Sequence, residues 1–248
     1  NFCNIAPMGA YWEGQKKNKH FEDLAKTVHR DGLKFVVDPF IQFITPEHLP
    51  FFLNLHIGDV GHTLIVGPTG SGKSVLLNAI SANFKKYPNC KVFVFDKSAS
   101  SRVLTKAIGG NFYNLLVDNQ SISFQPLAHI NDSVEKTWVL EWLVNYLEAS
   151  NVKITPIHRN TILNALNSVS TAPESERTIT ALITMLQDEE IRNSLRDLSL
   201  KGSYGSLFDS NVDHFGTGNW QVFEMEKLME NNRIVATTLD YLFHRIDC

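Results

Sequence analysis

The sequence predicts an α/β fold in which helices flank a parallel β-sheet and an all-helical segment is inserted between two strands. A short apolar run at 62–66 leads into a glycine-rich loop and then an amphipathic helix. Apolar runs typical of buried strands follow at 91–96 and 220–224. Between these two runs, the stretch 131–200 has apolar residues at helical spacing.

The N-terminal part, up to about Pro50, combines loop-forming residues with two candidate strands. Segments 33–37 and 51–55 are rich in β-branched and aromatic residues, which favour strands. They are expected to form a hairpin that is joined by the region of Pro46 and Pro50. This hairpin would precede the α/β core, which begins near Gly61.

The core is predicted to open with a strand-loop-helix-strand unit, whose parallel connection closes with a right-handed crossover. Two weaker strand-like segments follow it, and a last strand and helix return the chain to the α/β pattern. The predicted elements are strands 62–66 and 91–96 with helix 74–84 between them, segments 112–115 and 122–124, strand 220–224 and helix 234–246.

Four helices are predicted in the inserted segment. Asn131 or Asp132 is a candidate cap for the first, and Thr155 caps a second that begins at Pro156, a favourable first helical position. A third and a shorter fourth pass through 179–186 and 191–195.

Trp138 and Trp142 lie four residues apart on the first of these helices. They are expected to face inward, with a partner-docking surface as the alternative.

Composition excludes several classes of protein. The 248 residues are 43% hydrophobic with a net charge of −3, so no global attraction to nucleic acid is expected, while a local basic groove stays open. Cys3, Cys90 and Cys248 lie too far apart in sequence for a C-x-x-C pair, which argues against a zinc site and a disulfide framework and fits a cytoplasmic protein. No apolar stretch approaches the ~18 residues that would span a bilayer.

The strongest motif is G-x-x-x-x-G-K-[ST], which predicts a site for ATP and Mg²⁺. It reads Gly67-Pro68-Thr69-Gly70-Ser71-Gly72-Lys73-Ser74, between an apolar run and a helical pattern. The backbone N–H groups of Gly70, Ser71 and Gly72 are expected to surround the phosphates, at the positive end of the helix dipole. Lys73 is expected to contact the β- and γ-phosphates as the catalytic residue, and Ser74 to bind Mg²⁺. Val75 completes the predicted nucleotide-binding set.

Hydrolysis needs a further acidic group to support the metal and orient water. Asp96 ends an apolar strand, but Lys97 rather than a second acid follows it. A structural role, in which Asp96 caps a turn or pairs with Lys97 or Arg102, is favoured over a metal role. Glu224, at the end of strand 220–224, is a weaker candidate.

The loop and the segments around it resemble the conjugative-transfer ATPases of type IV secretion systems, of the TrbE/CagE type. The similarity extends from about Asn54 to Ile246. It is carried by residues 61–77, by 92–97 with Ser100-Ser101-Arg102, and by segments 122–128, 220–225 and 241–246.

This resemblance implies a RecA-like motor domain of the P-loop NTPase class with an all-α insertion. It also implies ATP hydrolysis, oligomers at the cytoplasmic face of the inner membrane, association with other secretion components, and a role in pilus assembly and substrate transfer. The expected layout is a lead segment 1–57, a nucleotide-binding core 58–130, a helical insertion 131–202 and a return to the core at 203–248.

In the family, the Walker B strand follows the helix that corresponds to 241–246. We therefore expect the catalytic acids beyond Cys248, and little hydrolysis by these residues alone. A DNA-pumping motor of the coupling-protein kind and a non-hydrolysing nucleotide-binding scaffold remain the alternatives.

Overall fold

The computed structural model of the chain describes residues 13–19, 22–23, 38–56, 60–117, 122–216 and 218–247. The chain divides into two compact units, Asn1–Val92 and Phe93–Cys248. Each unit has its own cluster of buried hydrophobic side chains. The four-part layout expected from the sequence, with divisions after 57, 130 and 202, stays a prediction.

An antiparallel hairpin belongs to the first unit. Strand β1 (Ile41–Ile44) pairs with strand β2 (Pro50–Leu53) across a tight turn in which His48 has a φ of 61°. The second strand of the predicted hairpin is confirmed. Its predicted first strand, 33–37, lies outside the described residues, and β1 is the strand that pairs with β2.

Helix α1 (Lys73–Asn83) follows the glycine-rich loop and ends in a 3₁₀ turn, Phe84–Lys86, so the predicted helix 74–84 is confirmed. Ile80 is the buried residue of this helix. It packs in a small core with two buried residues of the hairpin region and several partly buried side chains. The core consists of Phe40, Ile41 and Ile80, with Phe43, Leu55, Ile65, Leu76, Phe84 and Tyr87 around them.

The predicted buried strand at 62–66 is wrong. The segment has no strand structure, and Leu64 and Val66 are 85% and 83% exposed. Only Ile65 packs against the small core. A strand is stable when a neighbouring strand pairs with its backbone and both faces are covered, and no described strand pairs with this segment.

A three-stranded sheet belongs to the second unit, apart from Val92, the first residue of its first strand. Strands β3 (Val92–Asp96), β4 (Asn111–Asn114) and β5 (Trp220–Glu224) are arranged in the order β3-β5-β4, with β4 and β5 parallel. Every residue of the central strand β5 is buried, as expected for a strand covered on both faces. The three strands predicted near these positions are confirmed. Helix α2 (Arg102–Ala107) connects β3 to β4.

Segment 122–124 is not a strand, contrary to its strand-like sequence. Its backbone pairs instead with the helical turn Gly205–Phe208 and the loop that follows this turn. The Phe124 N–H donates to the Leu207 carbonyl at 2.7 Å, and the Ser123 carbonyl accepts from the His214 N–H at 2.9 Å.

The helices predicted in the insertion are confirmed, and side chains cap each of the first four. Asp132, Thr155, Thr178 and Asp188 accept hydrogen bonds from N–H groups in the first turns. The helices of this unit after β4 are α3 (Ser133–Ala149), α4 (Pro156–Ser170), α5 (Ile179–Met185), α6 (Glu189–Leu195), α7 (Gly205–Phe208) and, after β5, α8 (Asn232–Asp247).

Helix α3 of the insertion packs against α8. Trp142 is buried, and its indole N–H donates to the Thr237 carbonyl of α8 at 2.9 Å. Trp138 is partly buried and stacks on His244 of α8, with ring centroids 3.8 Å apart. The prediction that both tryptophans pack inward is confirmed.

The cysteines and the absence of a membrane-spanning segment were also considered in the sequence. Cys90 has a free thiol, whereas Cys3 and Cys248 lie outside the described residues. In the part of the chain that the structure describes, no helix combines the length and the apolar character that crossing a bilayer requires.

The core of the second unit should respond strongly to truncation of a buried leucine. Leu143 is fully buried in α3, so Leu143→Ala is expected to lower the free energy of unfolding by about 2–5 kcal/mol through lost packing and a cavity. Val134 lies on the same helix and is 71% exposed, so Val134→Ala should change it by less than about 0.5 kcal/mol. Urea denaturation measures both, and equal effects would contradict the helix packing.

Candidate functional site

The glycine-rich loop 67–72 is an open turn immediately before α1. Gly70 and Gly72 have φ values of +82° and +83°, in the left-handed region where a side chain causes strain. A Cβ added at either position would meet no atom within 4 Å, so the space beside the loop is open. Glycine is therefore favoured at these two positions by the left-handed backbone conformation and not by close packing.

Helix α1 begins differently from the helices of the insertion. Its cap residue is Gly72, which provides no side-chain hydrogen bond, and no acidic residue lies in the first turn. The first N–H groups of a helix have no partner within the helix, and the helix dipole places positive charge there. The first turn of α1 therefore offers N–H donors to an external anion.

Lys73 lies at the start of α1 and folds back over the loop. Its Nζ donates to the carbonyl oxygens of Gly67 at 2.8 Å and Pro68 at 2.7 Å. The ammonium is thus held above the loop by contacts that an anion can replace.

The predicted nucleotide-binding residues Gly67 to Val75 form one continuous loop and first helical turn. The Ser74 side chain is exposed next to Lys73. A serine hydroxyl at this position fits Mg²⁺, which keeps most of its ligands as water and substrate phosphate oxygens. Within the described residues, no cluster of three or more His, Cys, Asp or Glu residues suits a metal ion.

Asp96 ends β3 and is 7% exposed. One carboxylate oxygen accepts from the Lys97 N–H at 2.9 Å and the Ser100 hydroxyl at 2.6 Å, and the other accepts from the Ser101 N–H at 2.7 Å. Both oxygens are therefore engaged by the loop that follows the strand. This geometry agrees with the structural role favoured for Asp96.

Glu224 ends the neighbouring strand β5 and binds the same loop. The side chain is buried, and its carboxylate accepts from the N–H groups of Ser98, at 3.2 Å, and Ala99. It also accepts from the Glu226 N–H at 2.9 Å. The carboxylates of Asp96 and Glu224, from adjacent strands, together hold the loop 97–101.

The conformation of this loop was not predicted from the sequence. Ser98 and Ala99 have φ values of 71° and 52°, which cost free energy for residues with a Cβ. Two successive N–H groups in such a turn form a concave anion site, and the Glu224 carboxylate fills it. The only signal in the sequence was an acidic residue at the end of an apolar run.

The chain is similar to conjugal transfer and type IV secretion proteins. It is 38% identical over 254 residues to the conjugal transfer protein TrbE of Rhizobium radiobacter, an alignment that covers 100% of this chain and 29% of the relative. It is 37% identical over 214 residues to a probable TrbE conjugal transfer protein of Sinorhizobium fredii, covering 84% and 32%. The type IV secretion system protein virB4 of Bartonella quintana is 28% identical over 202 residues, covering 79% and 26%.

The chain spans 26% to 32% of the length of these curated relatives. No protein-family model matches it. Among solved structures, VirB4 of Thermoanaerobacter pseudethanolicus matches with a TM-score of 0.61 and 14% identity, over 80% of this chain and 60% of that one. This match supports the fold, and the α/β class predicted from the sequence is confirmed.

The carboxylate of Glu224 should be needed for the stability of the second unit. Glu224→Ala leaves the N–H groups of Ser98 and Ala99 without their acceptor and is expected to cost about 1–3 kcal/mol in the free energy of unfolding. The matched control is Glu226→Ala, because the Glu226 side chain is exposed two residues away; its effect should stay below about 0.5 kcal/mol. Chemical denaturation measures the free energy of unfolding of both variants. If Glu224→Ala leaves it unchanged, the Glu224 carboxylate does not stabilise the loop 97–101.

Proposed function

Because this chain belongs to the family of the TrbE and VirB4 proteins, we propose that it is the ATP-binding part of a conjugal transfer or type IV secretion motor. The observation that carries the proposal is the loop 67–72, with its uncapped helix N-terminus and the Lys73 ammonium above it. ATP is the substrate that fits this arrangement, since the site offers donors and positive charge for phosphate oxygens.

Each residue of the site has a role in this proposal. Lys73 exchanges its contacts with the Gly67 and Pro68 carbonyls for the β- and γ-phosphates of ATP. The N–H groups of Gly70 to Ser74 would donate to the phosphate oxygens, with the Ser71 N–H leaving the Pro68 carbonyl that it now contacts at 3.3 Å, and the Ser74 hydroxyl would hold Mg²⁺. When bound, Mg²⁺ supplies positive charge that neutralises the phosphates during transfer. The protein contributes orientation and charge stabilisation.

The wider role belongs to the whole protein, since this chain spans about a third of the relatives' length. We propose that the whole protein couples ATP hydrolysis to pilus assembly and substrate transfer. It would act as an oligomer at the cytoplasmic face of the inner membrane, held there by other secretion components. The names of the relatives, conjugal transfer protein and type IV secretion system protein, support this assignment.

A second candidate function is nucleotide binding without hydrolysis. It is favoured by the state of the two buried acids at the strand ends, because both oxygens of Asp96 and of Glu224 accept hydrogen bonds from the protein. A carboxylate engaged in this way is a poor choice for orienting water or supporting Mg²⁺. The two functions agree on nucleotide binding and differ on turnover by the whole protein.

Nucleotide binding should depend on the Lys73 ammonium. Lys73→Ala is expected to weaken the affinity for MgATP by several-fold to hundreds-fold, because it removes a charge-assisted contact worth ~1–3 kcal/mol. Lys85 is exposed in the same unit and lies outside the loop, so Lys85→Ala is the matched control and should bind normally. Isothermal titration measures all three proteins. Equal affinities for the wild type and Lys73→Ala would remove the phosphate-site assignment.

Turnover by these 248 residues alone should be near background. The loss of one electrostatic contributor commonly costs on the order of 10²–10³ in rate, and Asp96 and Glu224 are both engaged elsewhere. A phosphate-release assay on the purified chain tests this, with Lys73→Ala as the blank. Turnover of order 1 s⁻¹ that Asp96→Asn abolishes would show that Asp96 supports the metal and would contradict the structural role.

A further inference from the structure

A groove runs along one side of the helical insertion, entirely within the second unit. Its volume is about 560 Å³. It lies between α5, the 3₁₀ turn Arg196–Leu198 and the loop that follows this turn. Two apolar side chains, Ile183 and Leu200, form part of its lining.

Leu200 is 69% exposed at the groove, while its backbone N–H is held by hydrogen bonds. The Leu200 N–H donates to the Asp209 carboxylate at 2.6 Å. Asp209 is buried and also accepts from the N–H and the hydroxyl of Thr180 on α5. The buried carboxylate therefore joins the loop to the helix on the opposite side of the groove.

The rest of the loop is equally constrained. The Tyr204 N–H donates to the Asp197 carbonyl at 2.8 Å, and the Gly202 N–H donates to the Ser199 carbonyl at 2.7 Å. A Cβ at position 202 would lie 2.1 Å from the Arg196 carbonyl oxygen, so the close approach requires glycine. The groove is thus pre-formed, which lowers the entropy cost of binding.

The charges on the rim are positive. Arg196 and Lys201 both line the groove and are exposed, and within the described residues the structure shows no ion pair for either. Asp197 also lines the groove, but its carboxylate pairs with Arg233 at 2.8 Å. An incoming chain would therefore meet two available cations beside an apolar surface.

We propose that this groove docks a short acidic segment of another protein. An apolar side chain of the segment packs on Leu200 and Ile183, and flanking carboxylates pair with Arg196 and Lys201. A polypeptide fits better than nucleic acid, because single-strand sites combine basic grooves with aromatic platforms and none of the described residues that line this groove is aromatic. The proposal is separate from nucleotide binding, since it uses no residue of the loop 67–74.

The test uses the whole chain without nucleotide and a short fluorescein-labelled peptide in which Leu alternates with Glu. Fluorescence anisotropy should show saturable binding that weakens as salt is raised, because exposed charge pairs are screened. A peptide with Gln in place of every Glu should bind at least about fivefold more weakly, and so should one with Ala in place of every Leu.

Variants of the protein make the test specific to the groove. R196E/K201E and L200A should each weaken binding of the acidic peptide at least about fivefold. The charge-matched control is K106E/K153E, which reverses two exposed lysines of the same unit outside the groove and should leave binding unchanged.

Three results would overturn the proposal. They are equal binding of the Glu and Gln peptides, equal effects of R196E/K201E and K106E/K153E, and binding to vesicles that contain phosphatidylserine without binding to the peptide. The comparison of peptides on the wild-type protein decides even if a variant fails to fold. If the peptide does not bind the groove, the proposed nucleotide site still stands or falls with the MgATP titration of the wild type and Lys73→Ala.

Discussion

The structure depends on one constraint, that backbone N–H groups removed from water need acceptors. In the second unit, side chains of the chain itself meet this need at the ends of helices and strands. Asp132 and Thr155 cap helices of the insertion, and Asp96 and Glu224 bind the N–H groups of loop 97–101. At the start of α1, Gly72 provides no such acceptor. Residues 67–72 are exposed to water, so the first turn of α1 stays open to an external anion, and this makes the loop the candidate site.

The same constraint explains how the insertion is held. The indole N–H of Trp142 binds a carbonyl of α8, and the Asp209 carboxylate ties the start of α5 to the loop that carries Leu200. Burial raises the pKa of Tyr146, in the same core, to about 12, as expected for a phenol that is kept neutral away from water. These contacts tie the insertion to α8 and fix the backbone of the loop in which Leu200 lies exposed near Arg196 and Lys201.

Elements that are determined by neighbouring residues in the chain could be predicted from the sequence. The glycine-rich loop and the capped helices depend on residues that are close in sequence. Strand 62–66 was predicted wrongly because an apolar run shows hydrophobicity but does not show which strand pairs with it. The contacts by which Asp96 and Glu224 hold the loop 97–101 were only partly predicted. Glu224 is far from this loop in the chain, and Ser98 and Ala99 have a left-handed backbone conformation. Neither the pairing nor the backbone conformation leaves a local pattern.

We propose that the N–H groups of loop 67–72 and of the first turn of α1 bind the phosphates of a nucleotide. Hydrogen–deuterium exchange with and without MgADP tests it most directly, because it reads those N–H groups themselves. We expect slower exchange at residues 69–75 on addition of nucleotide and little change at 97–101, where four N–H groups already bind Asp96 and Glu224. Slower exchange at 97–101 with none at 69–75 would contradict it.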